Sequence, residues 1–253
     1  MAFYDLTKEE RMALVETMTD KILISLQNNS RQGIIAYFSN EDTYIRKNAY
    51  LSIGKLFYKY KFLQNQIFSM LKQFLEHENE KVRQTTVNAA GEIGKFHFDK
   101  VQFFFDLALF DEHHSVRNAV IGSIKKMGEK NPKPVLNWAR LYLTHNDKEI
   151  RREICHGIEL RGRTHPQDIL PLLKELEFDE TKRVSKTLVH VLGQISYKNG
   201  CLKTVVESLN HWQNKELVQE ALDEIVDVHD RYKKFAVLSQ QEAIDYIYQH
   251  YKV

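Results

Sequence analysis

Residues 116–124 read VRNAVIGSI and residues 150–158 read IRREICHGI. Both show an aliphatic residue, an arginine and two further aliphatics at four-residue steps, and they lie 34 positions apart. The pair that opens the pattern recurs as Ile45-Arg46, Val82-Arg83, Val116-Arg117, Ile150-Arg151, Val184-Ser185 and Val218-Gln219, at steps of 37, 34, 34, 34 and 34. Repetition at this period marks stacked supersecondary units. Three positions after the arginine column stand Ala49, Thr86, Val120, Ile154, Leu188 and Leu222; seven after it stand Ile53, Ala90, Ile124, Ile158, Leu192 and Val226. With the leading Ile or Val these fall at i, i+4 and i+8, one narrow face of an α-helix.

A second helical pattern precedes each of these, for example Gln66–Leu75, Lys100–Phe110, Pro132–Leu143, Pro166–Leu176 and Leu202–Trp212. Pro132 and Pro166 stand where a helix begins, and proline is tolerated there because the first N–H groups have no intrahelical partner. Short polar links (HENEK, DEHHS, HNDKE, DETKR) suit antiparallel neighbours. Residues 7–10 (TKEE) and 239–242 (SQQE) read as capping-box helix starts, and terminal helices are needed to cover the apolar faces of the outermost repeats. The expectation is one all-α domain over 1–253: an N-terminal capping helix over 1–24, about six two-helix repeats over 25–235 and a C-terminal helix over 238–253.

Two helices per repeat, with an acid or amide followed by [VI]-R-x-x-A-like residues at the start of the second helix, resemble HEAT repeats over about residues 25–235. The resemblance implies an α-solenoid whose second helices line the concave surface, and a function in binding protein partners or nucleic acid. It also implies a structural role for Arg46, Arg83, Arg117 and Arg151, tying the second helix to a loop acid such as Asp42, Asp111 or Asp147, for which the guanidinium fork is suited.

Opposite the apolar stripe, counting from the arginine column, lie positions at about +1, +5, +8 or +9, and +12. Asn118 belongs to this face. The fourth and fifth repeats carry the densest chemistry on it: Arg152, His156, Glu159 and Arg163 on one helix, and Lys186, His190, Gln194 and Tyr197 on the next. Stacked helices lie roughly 8–10 Å apart, so these side chains can converge. Three readings stand: a solvated polar face, a basic groove for an anionic or acidic partner, or a catalytic pocket with Glu159 as its carboxylate. His156, His190 and Glu159 together do not make a metal-ligand signature, and no metal or small-molecule cofactor is expected. The Phe cluster Phe96, Phe98, Phe103, Phe104, Phe105 and Phe110, with Trp138 and Trp212, reads as packing between repeats.

Two stretches resemble the DNA-alkylation-repair branch of HEAT-like proteins: Val116-Arg117-Asn118-Ala119 through Asn131-Pro132 to Trp138, and Ile150-Arg151-Arg152 through Arg161-Gly162-Arg163-Thr164-His165-Pro166 to Leu173. That resemblance implies DNA held in a basic groove and, as an alternative function, excision of alkylated bases, with aromatics and a carboxylate stabilising the cationic sugar. One group of that branch carries an Asp four residues after a Trp. Here Trp138 is followed by Tyr142, and Glu159 is the carboxylate left amid basic residues.

Composition agrees with a helical protein. Ten glycines and four prolines in 253 residues are too few for a turn-rich sandwich or barrel. A formal net charge of +2 is mild for a nucleic-acid binder, though a local patch can sit within a balanced total. Cys155 and Cys201 form no metal or redox spacing. No P-loop, G-x-S-x-G or H-E-x-x-H motif is present. The acidic N-terminal stretch has no signal-peptide core, and no apolar run reaches the ~20 residues that cross a bilayer, so a soluble cytoplasmic protein is expected.

Overall fold

The computed structural model describes residues 3–252, and among them the chain forms thirteen α-helices and no strand. They are α1 (Lys8–Gln27), α2 (Gln32–Phe38), α3 (Thr43–Lys59), α4 (Gln64–Leu75), α5 (Glu80–Ala108), α6 (His114–Lys130), α7 (Pro132–Leu143), α8 (Lys148–Gly162), α9 (Pro166–Lys174), α10 (Lys182–Gln194), α11 (Cys201–Leu209), α12 (Lys215–Arg231) and α13 (Gln240–His250). Two compact units divide between Met127 and Gly128. Both capping boxes form: Thr7 and Ser239 are N-caps of α1 and α13, each reciprocated by a Glu at the third helical position.

The junction before each first helix has one geometry. His97, Asn131 and His165 recur at the repeat period and share one set of non-helical dihedrals, with φ of −134°, −139° and −138° and ψ of 55°, 59° and 66°. Pro132 and Pro166 follow two of them, and a residue before proline is driven out of the helical region. His97 precedes Phe98 and bends there without that constraint, so α5 is two helices joined at a kink: the second helix of one repeat and the first of the next. The one longer step in the repeat has its cause at the equivalent place. The stretch from Ile45 to the start of α4 at Gln64 exceeds the stretch from Ile150 to Pro166 by three residues, and a 3-10 turn at Lys61–Leu63 holds the difference.

The apolar columns form the core of each unit. Ala49, Ile53, Val82, Val120 and Ile124 are buried in the first, and Ile150, Ile154, Ile158, Leu188 and Leu192 in the second. Each Val, Leu or Ile side chain buried this way contributes about 1.5–3 kcal/mol. Trp138 and Trp212 are buried, as are Phe98, Phe104 and Phe105, but Phe96 and Phe110 are on the surface. Burial raises the pKa of both cysteine thiols.

Each arginine of the repeat column turns back onto its own loop. Nη1 of Arg46, Arg83, Arg117 and Arg151 donates to the carbonyls six and five residues earlier: Asn40 and Glu41, His77 and Glu78, Asp111 and Glu112, His145 and Asn146. Of the three loop acids the sequence suggested, Asp111 takes an arginine of the column and the other two do not. Asp42 and Asp147 cap their own helices. Arg83 forks onto Asp111, 2.8 and 3.0 Å away, and Arg151 forks onto Asp179, which the sequence did not suggest, in each case an acid of the following loop. Burial pushes the Asp179 carboxyl up, but Arg151 and the Thr181 N–H outweigh it and hold it below the usual carboxylate range.

Candidate functional site

The position five residues beyond the arginine column brings His156, His190 and Glu224 side by side on α8, α10 and α12. The two imidazole rings lie 6.4 Å apart edge to face, and His190 Nδ1 is 3.5 Å from Glu224 Oε1. His156 Nε2 lies 3.1 Å from Glu159 Oε2. Arg163 Nε donates to Glu159 Oε1 at 2.8 Å, and its Nη2 donates to Gln194 Oε1 at 2.9 Å. At the far side Arg231 bonds Glu224 and, at 2.8 Å, Asp227. Acid and base thus alternate across three helices of the second unit.

Glu159 is not a groove residue. The residue is 1% exposed, with Arg163 on one carboxylate oxygen and His156 on the other. The reason lies in its column, eight residues beyond the arginine. The same column holds Gly54 and Gly193, where an added Cβ would come within 2.7 Å of Glu92 and 2.5 Å of Glu224 on the neighbouring second helix. The column faces the seam between second helices, and Glu159 projects into that seam. Gln194 is buried with it. Tyr197 also leaves the expected face: α10 stops at Gln194, and Tyr197 is buried in a parallel stack on Tyr232 with centroids 5.3 Å apart. Asn118 stands exposed on α6 and belongs to the first unit.

What remains open is a recess of about 330 Å³ lined by Arg152, His156, Arg183, Lys186, Thr187 and His190. Arg183 was missed in the sequence, although it stands three residues before Lys186 and seven before His190, on the same helical face. The recess is less basic than its residue types suggest. Glu149 bridges Arg152 and Arg183, each at 2.9 Å, and Glu153 lies 3.5 Å from Arg152, so two acids face the two arginines. Lys186 is exposed and, among the described residues, has no carboxylate within ion-pair distance, so the excess positive charge rests on it. Among the described residues no group of three His, Cys, Asp or Glu side chains is placed to hold a metal ion, and no helix is long and apolar enough to cross a membrane.

Helix pairs that carry their apolar stripe and loop-binding arginine at a constant step define an all-α helical-repeat fold. No protein-family model and no curated protein matches the chain. Among solved structures it is similar to importin-β, at 13% identity and a TM-score of 0.49 over 88% of this chain and 34% of that one. It is also similar to an archaeal HEAT-like repeat protein from Thermococcus onnurineus NA1, at 16% identity and a TM-score of 0.42 over 88% of this chain and 98% of the other. A designed armadillo repeat protein in complex with a (KR)4 peptide matches at 17% identity and a TM-score of 0.38, over 76% and 98% of the two chains. The chain spans about a third of the length of the importin-β structures it matches.

Proposed function

We propose that the chain is a non-catalytic binding module and that the α8–α10 recess holds an acidic segment of a protein partner. The observation that carries this reading is the recess itself: two arginines, Lys186, two histidines and a hydroxyl converge there, with no carboxylate in its lining. Lys186 offers a charge not spent on an internal ion pair. The resemblance to base-excision proteins loses its chemistry at the same place. A catalytic carboxylate must reach its substrate, whereas Glu159 is buried between Arg163 and His156, and the rings of Trp138 and Trp212 are buried and cannot stack on a base.

The test is a titration of the whole chain with a fluorescent Glu/Asp-rich peptide and, in parallel, with a DNA duplex. The reading expects peptide binding that weakens with salt and falls about five- to tenfold in Lys186→Glu, the effect of reversing one interfacial charge. Peptide binding indifferent to Lys186→Glu refutes it. Duplex binding with a steep log–log salt slope, without peptide binding, would replace it by the DNA alternative.

A further inference from the structure

The first unit holds a different surface, between α1 and α3. Phe3 N–H donates to Asp42 Oδ2 at 2.6 Å, and Thr19 Oγ1 lies 2.7 Å from Ser52 Oγ. Positions on the two helices therefore advance together, and α1 lies against α3 in the same direction. Between them runs an open recess of about 640 Å³, twice the size of the α8–α10 recess of about 330 Å³.

The apolar residues of α1 fall on two faces. Met18, Ile22 and Leu26 are buried, while Met12, Val15 and Leu23 line the recess together with Leu56 and Tyr60. Met12 is 64% exposed, which is unusual for a large apolar side chain unless something covers it. Along α1 the lining residues Lys8, Met12, Val15, Thr19 and Leu23 advance by three or four, a straight stripe about 22 Å long at 1.5 Å per residue. The rim is cationic at four points: Lys8 and Arg11 from α1, Lys55 and Lys59 from α3. Among the described residues none of the four is paired with a carboxylate. Arg11 and Lys59 lie over the rings of Tyr4 and Tyr60 instead, 4.9 and 5.1 Å from their centroids. Against these four stand two acids of the lining, Glu16 and Asp20, which leaves an excess of two positive charges beside an apolar floor.

We infer that this groove takes an acidic amphipathic helix from a protein partner. Its apolar stripe lies on Met12, Val15 and Leu23, and its carboxylates face Lys8, Arg11, Lys55 and Lys59. An apolar stripe of four turns is the length over which a helix of about fifteen residues places anchors at i, i+3, i+4 and i+7. A nucleic acid would leave that floor unused, and a basic helix would be repelled by the rim.

The probe is a sixteen-residue fluorescent peptide with Leu at the anchor positions and Glu elsewhere, compared with a twin carrying Lys for Glu. The whole chain is expected to bind the acidic peptide at least tenfold more tightly than the twin. Met12→Asp, at an exposed site and checked for unchanged circular dichroism, weakens it at least tenfold, and Lys55→Glu about three- to fivefold with a shallower salt dependence. Lys186→Glu leaves it unchanged, which separates this groove from the α8–α10 recess. The inference is overturned if the twin binds equally well, if Met12→Asp has no effect, or if no binding is seen up to about 200 μM. It is also overturned if sedimentation finds a dimer that Met12→Asp dissociates, because the occupant is then a second copy of the chain.

Discussion

Two buried carboxylates, one in each unit, play comparable parts with different partners. Glu92 of α5 sits against Gly54 of α3 and is held by Lys95 from its own helix and by Lys126 of α6, whose Nζ is 3.3 Å away. Lys126 also lies over the Tyr50 ring, 5.0 Å from its centroid. Glu159 of α8 is held by Arg163, the C-cap residue of the same helix, and by His156. In the first unit the compensation comes from two long, flexible amines, one on the same helix and one on the next. In the second it comes from a planar guanidinium that also bonds Gln194, and from a histidine that lines the recess. The seam between second helices admits an acid wherever a neighbour supplies a base. The choice of base decides whether the acid is a local brace or is linked to an open surface.

The comparison breaks most readily at the acids themselves. Removing one partner of a buried pair costs about 3–5 kcal/mol when the other charge is left buried. Glu159→Ala is expected at or below the lower end of that range, about 2–3 kcal/mol, because the Arg163 side chain left behind is 27% exposed and keeps its bond to Gln194. Glu92→Ala should cost about 1–2 kcal/mol, the scale of a lost hydrogen bond whose partners, here Lys95 and Lys126, can turn to water. Urea denaturation of both variants checks this, and equal losses would erase the distinction drawn above.

The next effect tests the seam itself. Gly54→Ala places a Cβ 2.7 Å from the Glu92 Cβ and should cost about 1–3 kcal/mol as overpacking. Gly122→Ala on α6, where nothing among the described residues lies within 4 Å of the added carbon, should stabilise the chain by up to about 1 kcal/mol through helix propensity. The same glycine-to-alanine change with opposite signs, read as shifts in melting temperature, would sharpen the assignment of columns to seam and surface.

A smaller difference between the units concerns pH. The second unit buries His229, whose Nδ1 bonds the Ile225 carbonyl at 2.8 Å, whereas none of the histidines of the first unit is buried. Burial depresses the His229 pKa, and the Ile225 bond offsets only part of this. The folded chain therefore favours the neutral ring. Its contribution is complete above the unfolded pKa of about 6.5 and is lost as pH falls towards the lower folded value, at no more than about 1.4 kcal/mol per pH unit. Urea midpoints at pH 7 and pH 5 should show this loss, and His229→Gln should remove it.

Much of this was legible in the sequence because a constant repeat period turns a chain into columns. The apolar stripe, both capping boxes, the proline starts at 132 and 166 and the adjacency of His156 and His190 all follow from counting. The column eight residues beyond the arginine was misread because periodicity on one helix separates inside from outside but cannot separate a free face from one met by the next helix. The glycines at 54, 91 and 193 were the available signal, since close helix approach requires them. Tyr197 failed for another reason: counting assumes that the helix continues, and α10 ends three residues earlier. The long reach of Arg83 and Arg151 to a carboxylate of the following loop is a contact between repeats, which no single repeat displays.

The matching dihedrals of Asn131 and His165 carry a consequence for how such a chain can change in length. Both residues are followed by proline and lie one repeat period apart. Excising Pro132 through His165 would join Asn131 to Pro166 and recreate, bond for bond, the turn that Asn131 makes with Pro132. The junction thus works as a splice point at which whole units could be dropped or duplicated without inventing a new connection, and each such event would add or remove one helix pair and its exposed face.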